Sequence, residues 1–275
     1  DQFLAKNNQV SNRSQAENYI RRGEVTVNNQ VITKPGYLVS ESDDVTVKTS
    51  DRYVSRAGFK LASVAELMGV DFRAKTVLDV GSSTGGFTDY ALQHGASKVY
   101  AVDVGTNQLH PSLRDNPKVE LHEKTDIRDF YFGETEAGDD RWGNPKNVSE
   151  GKFLGVKRSA GPATLAPDII VVDVSFISLR DVLPHIATHL ANPQTQIVAM
   201  VKPQFEAGKH QTNKGVIKNE NQRRQILKDF ELWAKDLFFI ADKRDSEVAG
   251  TKGNRERFYL LTLNRNSTTS PGRIT

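Results

Sequence analysis

The chain has 275 residues, a formal net charge of +3, 37% hydrophobic residues and 26% charged ones. That length admits one large domain or a large one plus a small one, and the mildly basic balance permits a nucleic-acid partner without demanding it. Cysteine is absent, which excludes disulfides, thiolate nucleophiles and Cys-ligated zinc; with no membrane-length apolar run and no signal peptide, a soluble cytoplasmic protein is expected.

Residues 1–50 form a unit of their own. Ser11 to Arg22, SNRSQAENYIRR, predicts a helix capped by Ser11 or Asn12 and ended by Gly23. EVTVNNQVITKPG alternates apolar and polar residues on both sides of Asn28-Asn29. Asparagine tolerates positive φ, so a tight hairpin is expected there. DDVTVKT adds a strand that closes the unit near Thr49. A unit this small has a thin core and leans on its neighbour.

After Arg52 strands alternate with helices through a second domain, residues 51–265. KTVLDV (75–80) predicts a strand, GFTDYALQHG (86–95) a helix, and KVYAVDV (98–104) and KVELHEK (118–124) two more strands. DIIVVDVSF (168–176) is a fourth strand, leading into the helical SLRDVLPHIATHL, and QIVAMVK (196–202) a fifth. ENQRRQILKDFELWAKDL (220–237) is an amphipathic helix, and FFIADK and RFYLLTL are closing strands. Such interleaving predicts an α/β protein with a doubly wound, mostly parallel, Rossmann-like sheet. Residues 132–167, rich in Gly, Pro and charge, are a loop excursion ordered by a partner or mobile. The tail at 266–275 is expected to be disordered.

LDVGSSTGGFTDYAL lies between the first strand and its helix. Glycines there let the backbone approach a ligand, and the helix N-terminus offers free N–H groups. The dinucleotide fingerprint G-x-G-x-x-G is absent, which speaks against a nicotinamide dehydrogenase. Instead Asp79 precedes Gly81, and Ser82, Ser83 and Thr84 lead to Gly85, Gly86 and Phe87. An acidic residue in the turn opposes pyrophosphate and suits a ligand with a positive amino group. Asp103 ends the second strand, where a carboxylate commonly holds a ribose diol, and Asp126 follows the third, within reach of an adenine amino group. Ribose, adenine and an amino acid together describe S-adenosyl-L-methionine. The competing reading is an ordinary tight turn with capping carboxylates.

Ligands of such sheets bind outside the carboxyl ends of the strands. Four ionisable residues map to that rim: Lys60 before the first strand, Asp173 inside the fourth, Lys202 ending the fifth and Glu256 opening the last. Each alone reads equally as a satisfied ion pair or a solvated strand end. Together they place two lysines and two carboxylates beside a methyl donor.

SRAGFKL, LDVGSSTGGFTD, VYAVDVGTNQL, DVSFISL, VKPQFEAG and KGNRE resemble the TlyA/hemolysin A family of ribosomal RNA methyltransferases. In that family an FtsJ-like catalytic domain follows an N-terminal S4 RNA-binding domain, and residues 1–50 resemble S4. The chain opens at DQFLAKNN, just inside the first S4 helix by this likeness, which would leave one or two residues of the full protein outside it. The resemblance implies 2′-O-methylation of a ribose, at a cytidine, in ribosomal RNA or a ribosomal subunit. It also implies a catalytic tetrad at Lys60, Asp173, Lys202 and Glu256, with no metal and no membrane. The 132–167 excursion is longer than the family pattern leads one to expect.

Arg13, Arg21 and Arg22 lie on or beside the S4-like helix and suit RNA phosphates, although Lys and Arg balance Asp and Glu over residues 1–50. Further cations flank the expected site: Arg52, Arg56, Lys209, Lys214, Lys218, Arg223, Arg224, Lys252 and Arg255. Phe205 either stacks on an unpaired base or belongs to the core. Two rival readings remain, a non-catalytic RNA-binding or ribosome-assembly protein and a membrane-active haemolysin.

Overall fold

The computed structural model describes residues 1–7, 9–10, 13–21, 23–47, 52–132, 166–207, 216–217, 219–248 and 253–264. The expected caps Ser11 and Asn12, the cations Arg22, Lys209, Lys214, Lys218 and Lys252, nearly all of the 132–167 excursion and the 266–275 tail lie outside the described residues.

The N-terminal unit contains α1 (Gln2–Lys6), α2 (Arg13–Arg21), β1 (Val25–Val27), β2 (Gln30–Ile32) and β3 (Val45–Val47), in strand order β2-β1-β3. Asn28 and Asn29 take φ of 49° and 66°, so the hairpin turns where the Asn pair predicts. Its core is thin: Leu4, Val10, Ala16, Tyr19, Ile20 and Val25.

The larger unit runs α3 (Arg56–Ala65), β4 (Thr76–Val80), α4 (Gly86–Gln93), β5 (Lys98–Val102), α5 (Pro111–Arg114), β6 (Val119–His122) and β7 (Ile169–Val172). It continues through α6 (Leu179–His185), β8 (Gln196–Val201), α7 (Pro203–Glu206), α8 (Glu220–Ala234), β9 (Phe238–Asp245) and β10 (Arg257–Leu263). The sheet order is β6-β5-β4-β7-β8-β10-β9, and only β10 runs antiparallel to its neighbours. This is the α/β, doubly wound sheet that the sequence predicts.

Alternate strand residues face opposite layers, as the two-residue period of a strand requires. Leu78, Val80, Ile170, Val172 and Val201 pack with Leu183 of α6 and Phe230 of α8. Val77, Ile169, Val171, Val198 and Met200 pack with Leu61 of α3 and Tyr90 of α4. The sheet is therefore covered on both sides, and only its strand ends are open to a ligand. The order reverses at β4, whose neighbours β5 and β7 lead in opposite directions, so the crevice of a doubly wound sheet falls above β4 and β7.

One expectation changes. The fourth sheet strand is shorter than DIIVVDVSF: β7 ends at Val172, and Asp173 is the first residue beyond it. The carboxylate thus stands on the rim rather than among the strand valines, where it would lack polar partners. The segment around Lys60 is a helix, α3, which carries Gly58 in its first turn.

Candidate active site

The crevice collects side chains from four elements. Lys60 projects from α3, Asp173 and Ser175 follow β7, Lys202 follows β8, and Glu256 immediately precedes β10. Lys202 Nζ lies 2.6 Å from Asp173 Oδ1 and donates to Ser175 Oγ at 2.6 Å. Lys60 Nζ lies 2.6 Å from Glu256 Oε2. These carboxylate contacts are ion pairs by distance rather than well-aligned hydrogen bonds. Lys202 is 8% exposed and Glu256 3%. Charges this buried persist only when paired, because desolvation is costly. Burial pushes the Asp173 carboxyl up; Lys202 and then Lys60 oppose it, and Glu256 acts with burial. The two ion pairs therefore sense each other as one network of alternating charge.

The glycine-rich turn forms the opposite wall. Gly81 has φ of 80°, and a Cβ there would stand 2.8 Å from the Asp173 carbonyl oxygen. Glycine at this position lets the β4 turn pass against the segment carrying Asp173. Gly85 has φ of 92° and starts α4. Gly86 lets α4 approach α3, since a Cβ would come within 2.7 Å of Gly58 N. The turn thus also positions Lys60, four residues from its neighbour Arg56 at the start of α3.

Asp79 is fully buried. Its Oδ2 accepts from Thr88 Oγ1 at 2.7 Å, and its Oδ1 has no partner. Burial pushes its pKa up to about 7; Thr88 opposes this, and Asp173 adds to it. Ser82 Oγ is likewise buried without a partner. Unsatisfied buried acceptors call for a donor, and a cationic amino group meets the chemistry of Asp79. Asp79, Gly81, Ser82, Ser83, Thr84 and Phe87 share a cleft of about 140 Å³ with Asp173, Ser175 and Lys202. S-adenosylmethionine, which presents an ammonium and a sulfonium, fits this donor and acceptor set.

Asp103 stands beside the turn and accepts from Ser83 N at 2.8 Å and Gly105 N at 2.6 Å. Asp126 is held by Arg128, which donates to both of its carboxylate oxygens, at 2.9 and 2.6 Å. Arg128 holds the Asp126 carboxyl below the usual range. Neither Asp103 nor Asp126 lines the cleft, which the turn residues and Asp79 dominate. A larger hollow, about 510 Å³, lies on the N-terminal unit over Phe3, Leu4 and Tyr37; Arg13 lines it, and none of the expected catalytic or cofactor-binding residues does.

Of the expected RNA contacts, Arg13 pairs with Asp1 at 2.9 Å and Arg21 with Glu17 at 2.6 Å, both at exposed positions. Arg56 is exposed and opens α3, the helix that carries Lys60. Arg223 is not a rim cation: it is buried and bonded to Asp245 at 2.6 Å and to the Arg255 carbonyl. Two residues escape sequence reasoning. Ser175 is the second partner of Lys202, and its only trace is its place in DVSF. Phe176 is 91% exposed with φ of 66°, and its ring lies 5.3 Å from that of Phe205. An exposed aromatic on left-handed backbone, one residue from Ser175 of the cleft, is not explained by packing.

Sheet order, glycine turn and crevice together define a methyltransferase of the Rossmann-like class. The family model for FtsJ-like methyltransferases matches residues 53–264, and that for the S4 domain matches residues 1–45. Hemolysin A of Brachyspira hyodysenteriae is 35% identical over 93% of this chain and 96% of its own length. The 23S rRNA (cytidine-2′-O)-methyltransferase TlyA of Campylobacter jejuni is 38% identical over 78% of this chain and 73% of its own. A solved structure from Streptococcus thermophilus, described as a hemolysin, superposes with a TM-score of 0.67 at 32% identity, covering 95% of this chain and 86% of that one. The chain belongs to the FtsJ-like methyltransferases, and within them to the TlyA/hemolysin A family.

Proposed function

We propose that this enzyme methylates a ribose 2′-hydroxyl of ribosomal RNA, at a cytidine, using S-adenosylmethionine. The observation that carries the reading is the buried Lys202–Asp173 pair opening into the same cleft as the glycine turn and Asp79. Bound there, S-adenosylmethionine supplies an electrophilic methyl group on a sulfonium leaving group. Asp79 and the turn 81–87 hold the cofactor, Asp79 through the ammonium of its amino-acid end. Asp103 takes the ribose diol by exchanging backbone donors for hydroxyls, and Asp126 lies on the adenine side.

A ribose hydroxyl is a weak nucleophile: as its oxygen bonds the methyl carbon and the carbon–sulfur bond breaks to leave a neutral thioether, its proton passes to water and negative charge builds on the oxygen on the way. Lys202, fixed by Asp173 and Ser175, presents a preorganised cation to that oxygen, where little reorganisation is needed. Asp173 keeps the ammonium oriented and offsets the cost of burying it. Lys60 and Glu256 complete the charge network and position the ribose. Much of the acceleration comes from holding the hydroxyl in line with the methyl group. Phe176 and Phe205 offer flat apolar faces for an unpaired base beside the cleft. Arg13, Arg21, Arg22, Arg56, Lys209 and Lys214 contact phosphates. The test is methyl incorporation into ribosomal subunits and free RNA by wild type and Lys202→Ala. Alkali-stable 2′-O-methyl ribose that disappears in the variant supports the assignment, and undiminished transfer at saturating RNA contradicts it.

A further inference from the structure

The two segments that bring Asp173, Ser175 and Lys202 to the cleft, 173–178 after β7 and 202–206 after β8, meet through more than the Lys202 contacts. Glu206 ends α7, four residues beyond Lys202. Its side chain is 2% exposed. One oxygen accepts from Ser178 Oγ at 2.6 Å and the other from Leu179 N at 2.7 Å. Arg180 Nε stands 3.7 Å away. Ser178 and Leu179 are the cap and first residue of α6, directly after the segment that carries Asp173, Ser175 and Phe176. A carboxylate at a helix N-terminus, with one hydroxyl and one amide donating to it, makes strong charge-assisted bonds. The segment it holds needs such support. Phe176 is solvent-exposed with positive φ, so its own packing does not fix the backbone there.

We propose that Glu206 is a positioning residue for methyl transfer: it clamps the 173–178 segment to the Lys202 turn. The clamp keeps Asp173 and Ser175 on the Lys202 ammonium, and Phe176 beside Phe205. Glu206 does not line the cleft and touches no reacting atom. This inference rests on the 2′-O-methylation reading for its effect on rate, but not for its effect on local order.

The experiment compares wild type, Glu206→Ala, Glu206→Gln and Ser178→Ala. Methyl transfer is followed with ribosomal subunits, cofactor affinity by calorimetry, and amide hydrogen exchange across 173–179. Glu206→Ala is expected to lower kcat by about tenfold or more, leave the cofactor Kd within about twofold, and speed exchange at 173–179 selectively. Glu206→Gln keeps an acceptor for Leu179 N and can donate to Ser178 Oγ, so it restores most of kcat. Ser178→Ala falls between, which keeps the test decisive if Glu206→Ala fails to fold. Wild-type kcat and exchange in Glu206→Ala and Ser178→Ala overturn the proposal, as does a fall in thermal stability with kcat unchanged. If wild type methylates no RNA while exchange at 173–179 still rises selectively in the variants, the clamp stands and the substrate reading falls.

Discussion

In the proposed mechanism Lys202 and Asp79 divide the chemistry between them, and each role can be tested by one substitution. Lys202→Ala removes a buried cation that the proposal sets against the attacking oxygen, and should lower kcat by about 10²–10³-fold, the scale for losing one preorganised stabiliser. The cofactor Kd, measured by calorimetry, should change little. Asp79 acts on binding. Its carboxyl, raised to about 7 by burial, stays protonated in the folded chain while the unfolded chain ionises near 4. Folding therefore takes up a proton between those values, and stability falls as pH rises from about 4 to 7. Asp79→Asn abolishes that slope, so the variant gains on wild type across the window, by at most about 4 kcal/mol, read from denaturant midpoints. The same variant should bind S-adenosylmethionine more weakly above pH 7, because it cannot ionise opposite the ammonium. The strand-end positions of Lys202 and Asp79 are legible in sequence, because short apolar runs stop beside them at Pro203 and Gly81. Their partners are not. Lys60 meets Glu256 and Lys202 meets Asp173 only after the sheet has formed, and no local pattern encodes which carboxylate each lysine finds.

Among elements, α3 shows the limit of local reading. SRAGF puts Gly58 in the first helical turn, and glycine there argues for a turn rather than a helix. The structure gives the reason: a Cβ at Gly58 would meet Tyr53 Cβ at 2.5 Å, and one at Gly86 would meet Ala57 Cβ at 2.8 Å. The glycines are a close-approach pair that seats α3, the helix from which Lys60 meets Glu256, on α4. Gly58→Ala or Gly86→Ala should therefore destabilise by about 1–3 kcal/mol, as overpacking does, although propensity alone would favour alanine by about 1 kcal/mol. A higher denaturant midpoint in either variant would contradict this. The helix α8 shows a second limit. It reads as an amphipathic helix with Arg223 among the cations of the site's rim, yet Arg223 is buried against Asp245 of β9, a partner that sequence distance hides. The inner strands β4, β7 and β8 were accessible from pattern alone, because both their faces are covered and they read as near-continuous apolar runs.

At the scale of the whole molecule, an S4 domain precedes an FtsJ-like methyltransferase domain, and the proposed active site sits at the carboxyl ends of its sheet strands. Charges in residues 1–50 cancel, so affinity for RNA has to come from clustered cations rather than net charge. Binding should weaken steeply with salt, and Arg56→Ala should flatten the log–log slope by about 1 if its guanidinium meets a phosphate. Among the described residues no helix is long and apolar enough to cross a membrane. The most direct test of the account is transfer of labelled methyl from S-adenosylmethionine to purified ribosomal subunits and free ribosomal RNA, with nucleotide analysis of the product. The account predicts label in an alkali-stable 2′-O-methylcytidine, lost in Lys202→Ala. Label on a base, or no label in any RNA from a protein that still binds RNA and cofactor, would contradict it.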